Sequence, residues 1–266
     1  MIPSRVAAME RFHAQRAGAT RRALARGRDA RGRSSYQLLA ELVIPEERVL
    51  DLGCGDGPLL ELVTARGGRG IGVDRSAAEL ALVRPKLAVV RAAAAALPLA
   101  DASFDRVLSH LAFSVMEDAP RVVAEIDRVL TPGGHFAAVV GGGPALREAA
   151  DAEAFDLFLG LLSEALAGRP RLRLGDRRAG HPDGWRELWG ARGYHVSWER
   201  HEIDLSGAFD EVWVTLASAY DVMLLSAQEQ AALAERFAAQ CARRFQPARI
   251  PVTMVVWLAQ ARKPAG

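Results

Sequence analysis

The stretch Val49-Leu50-Asp51-Leu52-Gly53-Cys54-Gly55-Asp56-Gly57 sets a carboxylate near the end of an apolar run, with three alternating glycines behind it. Glycine lets a backbone turn sharply and approach a ligand closely, and a helix starting at Pro58 would present free amides beside that turn. A dinucleotide site would use G-x-G-x-x-G, and Asp51 would repel a pyrophosphate. The carboxylate suits an ammonium group, or it braces the glycine loop. Nineteen residues after Gly55, at the end of the next apolar run, Asp74 stands where an acid can accept both hydroxyls of a ribose. The two acids together describe a ligand with a sugar and a positive group.

Such a site needs a sheet to hold it. Short apolar runs at 48–51, 70–74, 87–91, 106–109 and 135–140 alternate with helical patterns at 36–43, 58–66, 77–83 and 120–130. That rhythm predicts an α/β fold with a Rossmann-like, seven-stranded, mostly parallel sheet and helices on both faces. Pro132-Gly133-Gly134 reads as a stop before the fifth strand. After Gly141-Gly142-Gly143 the rhythm changes. Residues 148–167 and 208–245 read as helical insertions, a helix at 183–192 and a strand at 194–203 lie between them, and 252–259 is a last strand. The expected organisation is a basic, exposed arm over 1–35 and one domain over 36–266. Within it, 36–142 bind the cofactor, and inserts 143–181 and 207–247 cap the C-terminal edge of the sheet, where open α/β sheets take ligands.

Four ordered motifs carry a family resemblance. They are Asp51-Leu52-Gly53-Cys54-Gly55, then Gly72-Val73-Asp74, then Leu97-Pro98-Leu99 with Asp101-x-Ser103-Phe104-Asp105, then Glu125-x-x-Arg128-Val129-Leu130-x-Pro132-Gly133-Gly134. Residues 36–142 thereby resemble class I S-adenosylmethionine-dependent methyltransferases of the quinone-biosynthesis branch. The resemblance implies S-adenosylmethionine as cofactor and a binding set of Asp51, Gly53, Cys54, Gly55, Asp74, Arg75, Ala93, Ala94 and Ser109. Gly53 and Gly55 would line the methionine part, Asp74 would take the ribose, Arg75 would flank the adenine, and Ser109 would offer backbone to the amino-acid end. Ala93 departs from the pattern, because the family usually has an acid there that accepts a hydrogen bond from the adenine amine. Its loss is worth about 1 kcal/mol, and the Ala94 amide can still reach the ring.

Methyl transfer from a sulfonium is an in-line displacement, so the protein aligns the acceptor and, for a hydroxyl, removes a proton. His110, directly after the fourth strand, is the candidate catalytic residue, as base or as orienting group. Cys54 has no basic neighbour in sequence and is expected to remain a protonated, packed thiol. Glu125 and Arg128 read as a structural pair. No metal is called for. The Asn/Asp-Pro-Pro-aromatic signature of base-amine methylation is absent, since 109–112 read Ser-His-Leu-Ala. A small-molecule acceptor is therefore expected, with O-methylation ahead of N- or C-methylation, and Phe155, Phe158, Trp185, Trp189, Phe209, Trp213, Tyr220 and Met223 could supply apolar surface for it. Two alternatives stay open. One is a carboxyl O-methyltransferase acting on an acid bound to an acidic carrier protein, contacted by Arg169, Arg171, Arg173, Arg177 and Arg178. The other is a binding protein that keeps the fold without catalysis. Arg33 and Tyr36 could close over the cofactor carboxylate.

The composition limits partners more than it names them. In 266 residues, 34 basic side chains stand against 32 acidic ones, a net charge of +2, and only Lys86 and Lys263 among the bases are lysine. Near balance demands no nucleic acid, and no apolar run is long enough for a membrane span. Two cysteines are too few for a disulfide framework, and the basic N-terminus has no apolar segment behind it, so the expected compartment is a reducing cytoplasm. Oligomeric state is not written in these features.

Overall fold

In the computed structural model, residues 5–141, 149, 152–169, 172 and 174–265 are described. Among them the strands are β1 (Arg48–Leu52), β2 (Arg69–Asp74), β3 (Ala88–Arg91), β4 (Phe104–His110), β5 (Leu130–Gly141), β6 (His195–Asp204) and β7 (Thr253–Arg262). They form one sheet in the order β3-β2-β1-β4-β5-β7-β6. β1 pairs parallel with β2 and β4, as do β2 with β3 and β4 with β5, while β7 runs antiparallel to β5 and β6. The order reverses between β1 and β4, and a cleft opens there beyond the strand ends.

Ten helices of the described residues surround the sheet: α1 (Arg5–Gln15), α2 (Ala19–Leu24), α3 (Ser35–Ala40), α4 (Pro58–Ala65), α5 (Ala77–Leu80), α6 (Ala119–Val129), α7 (Glu153–Leu166), α8 (Pro182–Gly190), α9 (Phe209–Leu216) and α10 (Ala227–Arg244). Local chemistry sets several starts. Ser34 and Gln37 close a capping box on α3, Ser226 and Glu229 do so on α10, and the Asp118 side chain accepts from the Arg121 amide at the start of α6. On one sheet face α2, α3, α4, α7, α9 and α10 share a core with Leu108, Ala137 and Val139. On the other, α6 and α8 bury Trp185 and Trp189 against Phe113 and Phe136.

Two expectations change. Pro132-Gly133-Gly134 is a bulge within β5 and not a stop before it, because pairing passes from Phe104 opposite Leu130 to Arg106 opposite His135. The Gly133 amide donates to the Pro264 carbonyl at 2.9 Å and so holds the looped-out residues. The N-terminal arm, expected to be exposed, is α1 and α2 packed on the fold, with Phe12 and Leu24 buried. Its arginines hid this by reaching outward to backbone acceptors, Arg16 to the Ala217 carbonyl at 2.7 Å and Arg26 to those of Leu205 and Ser206.

The helical insertions make a layer on the sheet face. Phe158 packs edge-on against Trp213 and Phe237, and of the aromatic residues expected to supply acceptor surface, Phe155, Phe158, Trp185 and Trp189 are core. Gly142, Gly143, Glu148, Arg171 and Arg173 lie outside the described residues.

Candidate active site

At the switch point lies a cavity of about 350 Å³. Its floor is the β1–α4 turn, where Asp51, Gly53, Cys54 and Gly55 line it, and Asp74 and Arg75 flank it from the end of β2. Ala93 and Ala94, from the loop after β3, line a second side, and His110, Leu111, Ala112 and Met116 form a largely apolar wall after β4. The sheet thus brings nine of the ten expected site residues to one cavity. Ser109 does not line it. Its buried hydroxyl donates to the Leu52 carbonyl at 2.9 Å and accepts from the Phe113 amide at 3.1 Å, fastening β4 to β1 and to the turn that follows.

Gly53 has φ +76°, and a Cβ there would lie 2.4 Å from the Ala112 Cβ, so only glycine lets the β1 loop and the apolar wall approach this closely. Asp74 is fixed by two backbone amides, with Gly55 donating at 2.9 Å and Ser76 at 2.8 Å. Asp51 is different. It is buried, and neither carboxylate oxygen meets a partner with hydrogen-bond geometry. Burial first, and the Asp74 charge second, push its pKa up to about 8, against a weaker favourable pull from the Leu60 amide. Burial, reinforced by the Asp51 and Asp74 carboxylates, raises the Cys54 thiol far above its usual range.

His110 is buried, its Nε2 sits 2.9 Å from the Ser35 hydroxyl, and burial lowers its pKa to about 3. Tyr36 lies over the ring and also lines the cavity. Arg33 does not line the cavity, being paired with Asp29 and Glu41. Arg75 is paired with Glu10 at 2.8 Å. Glu125 and Arg128 hold the chain just beyond the alanine loop, with Glu125 accepting from the Leu97 amide and Arg128 donating to the Leu97 and Leu99 carbonyls.

The sequence did not point to Glu79, which is 3% exposed and lines the cavity from α5, or to His13 of α1, which meets it. Glu79 follows Ser76 by three residues, the spacing of an ordinary helix cap, which masks its inward direction. Among the described residues, no group of three or more His, Cys, Asp or Glu side chains is placed to hold a metal ion, and no helix is long and apolar enough to cross a membrane.

Residues 50–138 match the family described as "Methyltransferase domain". That segment carries a methyltransferase domain. Over 104 residues it is 38% identical to a probable S-adenosylmethionine-dependent methyltransferase of Mycolicibacterium smegmatis, covering 38% of this chain and 40% of that protein. Over 109 residues it is 38% identical to a malonyl-acyl-carrier-protein O-methyltransferase of Enterobacter lignolyticus, covering 40% and 43%. The chain thus spans about two fifths of the length of these relatives. A putative methyltransferase from an antibiotic biosynthesis pathway of Anabaena variabilis shares the fold at TM-score 0.58 and 16% identity, over 88% of this chain and 98% of that one.

Likeness to a probable S-adenosylmethionine-dependent methyltransferase implies S-adenosylmethionine as the group this cavity would hold, and the residues present fit it. The orphaned Asp51 carboxylate matches an ammonium, Asp74 retains acceptor capacity beyond its two amides, and the glycine-floored cavity admits a close ligand.

Proposed function

We propose that this chain transfers a methyl group from S-adenosylmethionine to a neutral or cationic small molecule, at a hydroxyl or an amine. The orphaned Asp51 carboxylate, one strand away from the amide-fixed Asp74 in the same cavity, is the observation that carries this reading. In this reading Asp51 binds the cofactor ammonium, Asp74 accepts the ribose hydroxyls, Arg75, Ala93 and Ala94 flank the adenine, and Leu111, Ala112 and Met116 exclude water beside the methyl group. The bound cofactor supplies an electrophilic methyl on a sulfonium. His110, held neutral, orients the acceptor through a hydrogen bond. As the acceptor–CH3 bond forms the S–CH3 bond breaks, S-adenosylhomocysteine is the leaving group, and the acceptor's proton passes to water.

Charge around the cavity supports the acceptor class. Asp56, Asp74 and Glu79 line it, whereas among the described lining residues the one guanidinium is Arg75, already paired with Glu10. A carboxylate acceptor would enter against like charge. Calorimetry with S-adenosylhomocysteine tests the cofactor half: micromolar binding, lost in Asp74→Ala, is expected, and no binding to the unmodified protein would end the reading.

A second reading, methylation of a carrier-bound acid, is favoured by likeness to two malonyl-acyl-carrier-protein O-methyltransferases. Arg169 and Arg178 of the loop it would use are paired with Glu229 and with Asp176 and Glu187. Labelled methyl appearing on a carrier-bound acid, with none on free alcohols or amines, would establish it over the first.

A further inference from the structure

Glu79 is a buried carboxylate facing a cavity that already contains Asp51, Asp56 and Asp74. A buried charge is tolerated only with partners. Two of its partners come from one distant segment: His13 Nδ1 donates to Oε1 at 2.8 Å, and the Gly18 amide donates to Oε2 at 2.9 Å. Gly18 has φ +72° at the break between α1 and α2, and a Cβ there would lie 2.9 Å from the Arg22 guanidinium. The left-handed turn at Gly18 thus presents its amide to the carboxylate that His13 also meets.

The same segment is anchored from the opposite side by the second insertion. Tyr220 OH lies 3.4 Å from His13 Nε2, the Tyr220 ring packs 4.6 Å from Phe12, and Arg16 donates to the Ala217 carbonyl and to Gln230 Oε1 at 2.7 and 2.6 Å. Met9, His13, Thr20 and Tyr220 all line the cavity from outside the cofactor-binding core. With Nδ1 engaged by Glu79, Nε2 of His13 is left to share a hydrogen bond with the Tyr220 hydroxyl.

We infer that Glu79 is a positioning residue that latches the 5–24 segment, through His13 and Gly18, as a strap across the cofactor site, with Tyr220 as the second fastening. This rests on the cofactor reading above. The strap closes one side of the cavity, so a cofactor exchanges by way of strap opening, and the latch sets the exchange rate without making the contacts that set cofactor identity. Breaking it speeds association and dissociation together.

The experiment follows S-adenosylhomocysteine association and dissociation by stopped-flow tryptophan fluorescence in the intact chain, beside amide hydrogen exchange over 5–24 without ligand. Glu79→Gln and His13→Ala are expected to raise both ligand rates tenfold or more with a smaller change in Kd, and to lower protection over 5–24 while the sheet amides keep theirs. His13→Asn, whose amide can replace Nδ1–H, should restore much of both. Unchanged rates and unchanged protection in Glu79→Gln would overturn the latch. If the unmodified chain binds no S-adenosylhomocysteine, the cofactor reading falls, and hydrogen exchange still decides separately whether Glu79 fastens the segment.

Discussion

The rings of Tyr36 and His110 stack with centroids 3.7 Å apart and planes 23° from parallel, and this pair covers the histidine at the end of β4. A buried imidazole is costly to charge, which is why its pKa falls to about 3. Its ring resonances should not titrate between pH 5 and 8 by NMR. Because the folded pKa lies below the unfolded value near 6.5, the unfolded chain binds the extra proton, so the stability His110 contributes is present above pH 6.5 and lost as pH falls toward 3. A His110 midpoint near 6.5 would contradict the neutral, orienting role.

Asp51 carries stability in the opposite direction. Its folded pKa of about 8 lies above the model-peptide value of 3.8, so the folded chain holds a proton that the unfolded chain releases. Its contribution is greatest below pH 4 and declines as pH rises to 8. Asp51→Asn should therefore stabilise the protein at pH 8 by at least about 1 kcal/mol, roughly 2–4 °C in Tm, with little gain at pH 4. The same variant should lose cofactor binding. In the unmodified protein, S-adenosylmethionine binding at pH 7 should release a proton, visible in calorimetry as a dependence on buffer ionisation enthalpy.

The sheet and its glycine floor were legible in the sequence because each strand is a short apolar run and each turn has its own chemistry, as from Val49 to Gly57. Asp51 and Asp74 were readable because their positions follow from where strands end. Glu79 and His13 were not. One looked like a helix cap, and the other lay in an arginine-dense segment whose apolar residues, Met9, Phe12, Ala23 and Leu24, are spaced across two short helices and buried only by tertiary contact. Ser109 shows the converse limit: motif position brought it next to the site, but the strand's alternation turned its hydroxyl to Leu52 and Phe113 and gave the cavity to His110.

Ala93 is exposed in the loop that lines the cavity beside Ala94, so a longer side chain has room there. Ala93→Asp should add one hydrogen bond to the adenine amine, worth about 1 kcal/mol, and tighten S-adenosylhomocysteine about fivefold. Calorimetry against the unmodified chain reads this directly. Unchanged or weaker affinity would place the adenine elsewhere in the cavity.

Arg128 connects α6 to the segment that follows the adenine loop. It donates to the Leu97 and Leu99 carbonyls at 3.0 and 2.7 Å and to Glu125, whose other hydrogen bond is to the Leu97 amide at 2.7 Å. The Arg128 guanidinium beside it lowers the Glu125 pKa first, against a modest cost of burial. Arg128 is 30% exposed, so solvent screens part of the ion pair, and the carbonyl contacts carry most of its effect. Arg128→Ala should cost about 1–2 kcal/mol of stability and loosen residues 92–99, weakening S-adenosylhomocysteine several-fold without touching Asp51 or Asp74. Hydrogen exchange confined to 92–101, together with a raised Kd, would mark this route. Loss of stability with an unaltered Kd would show that the alanine loop holds its place without Arg128.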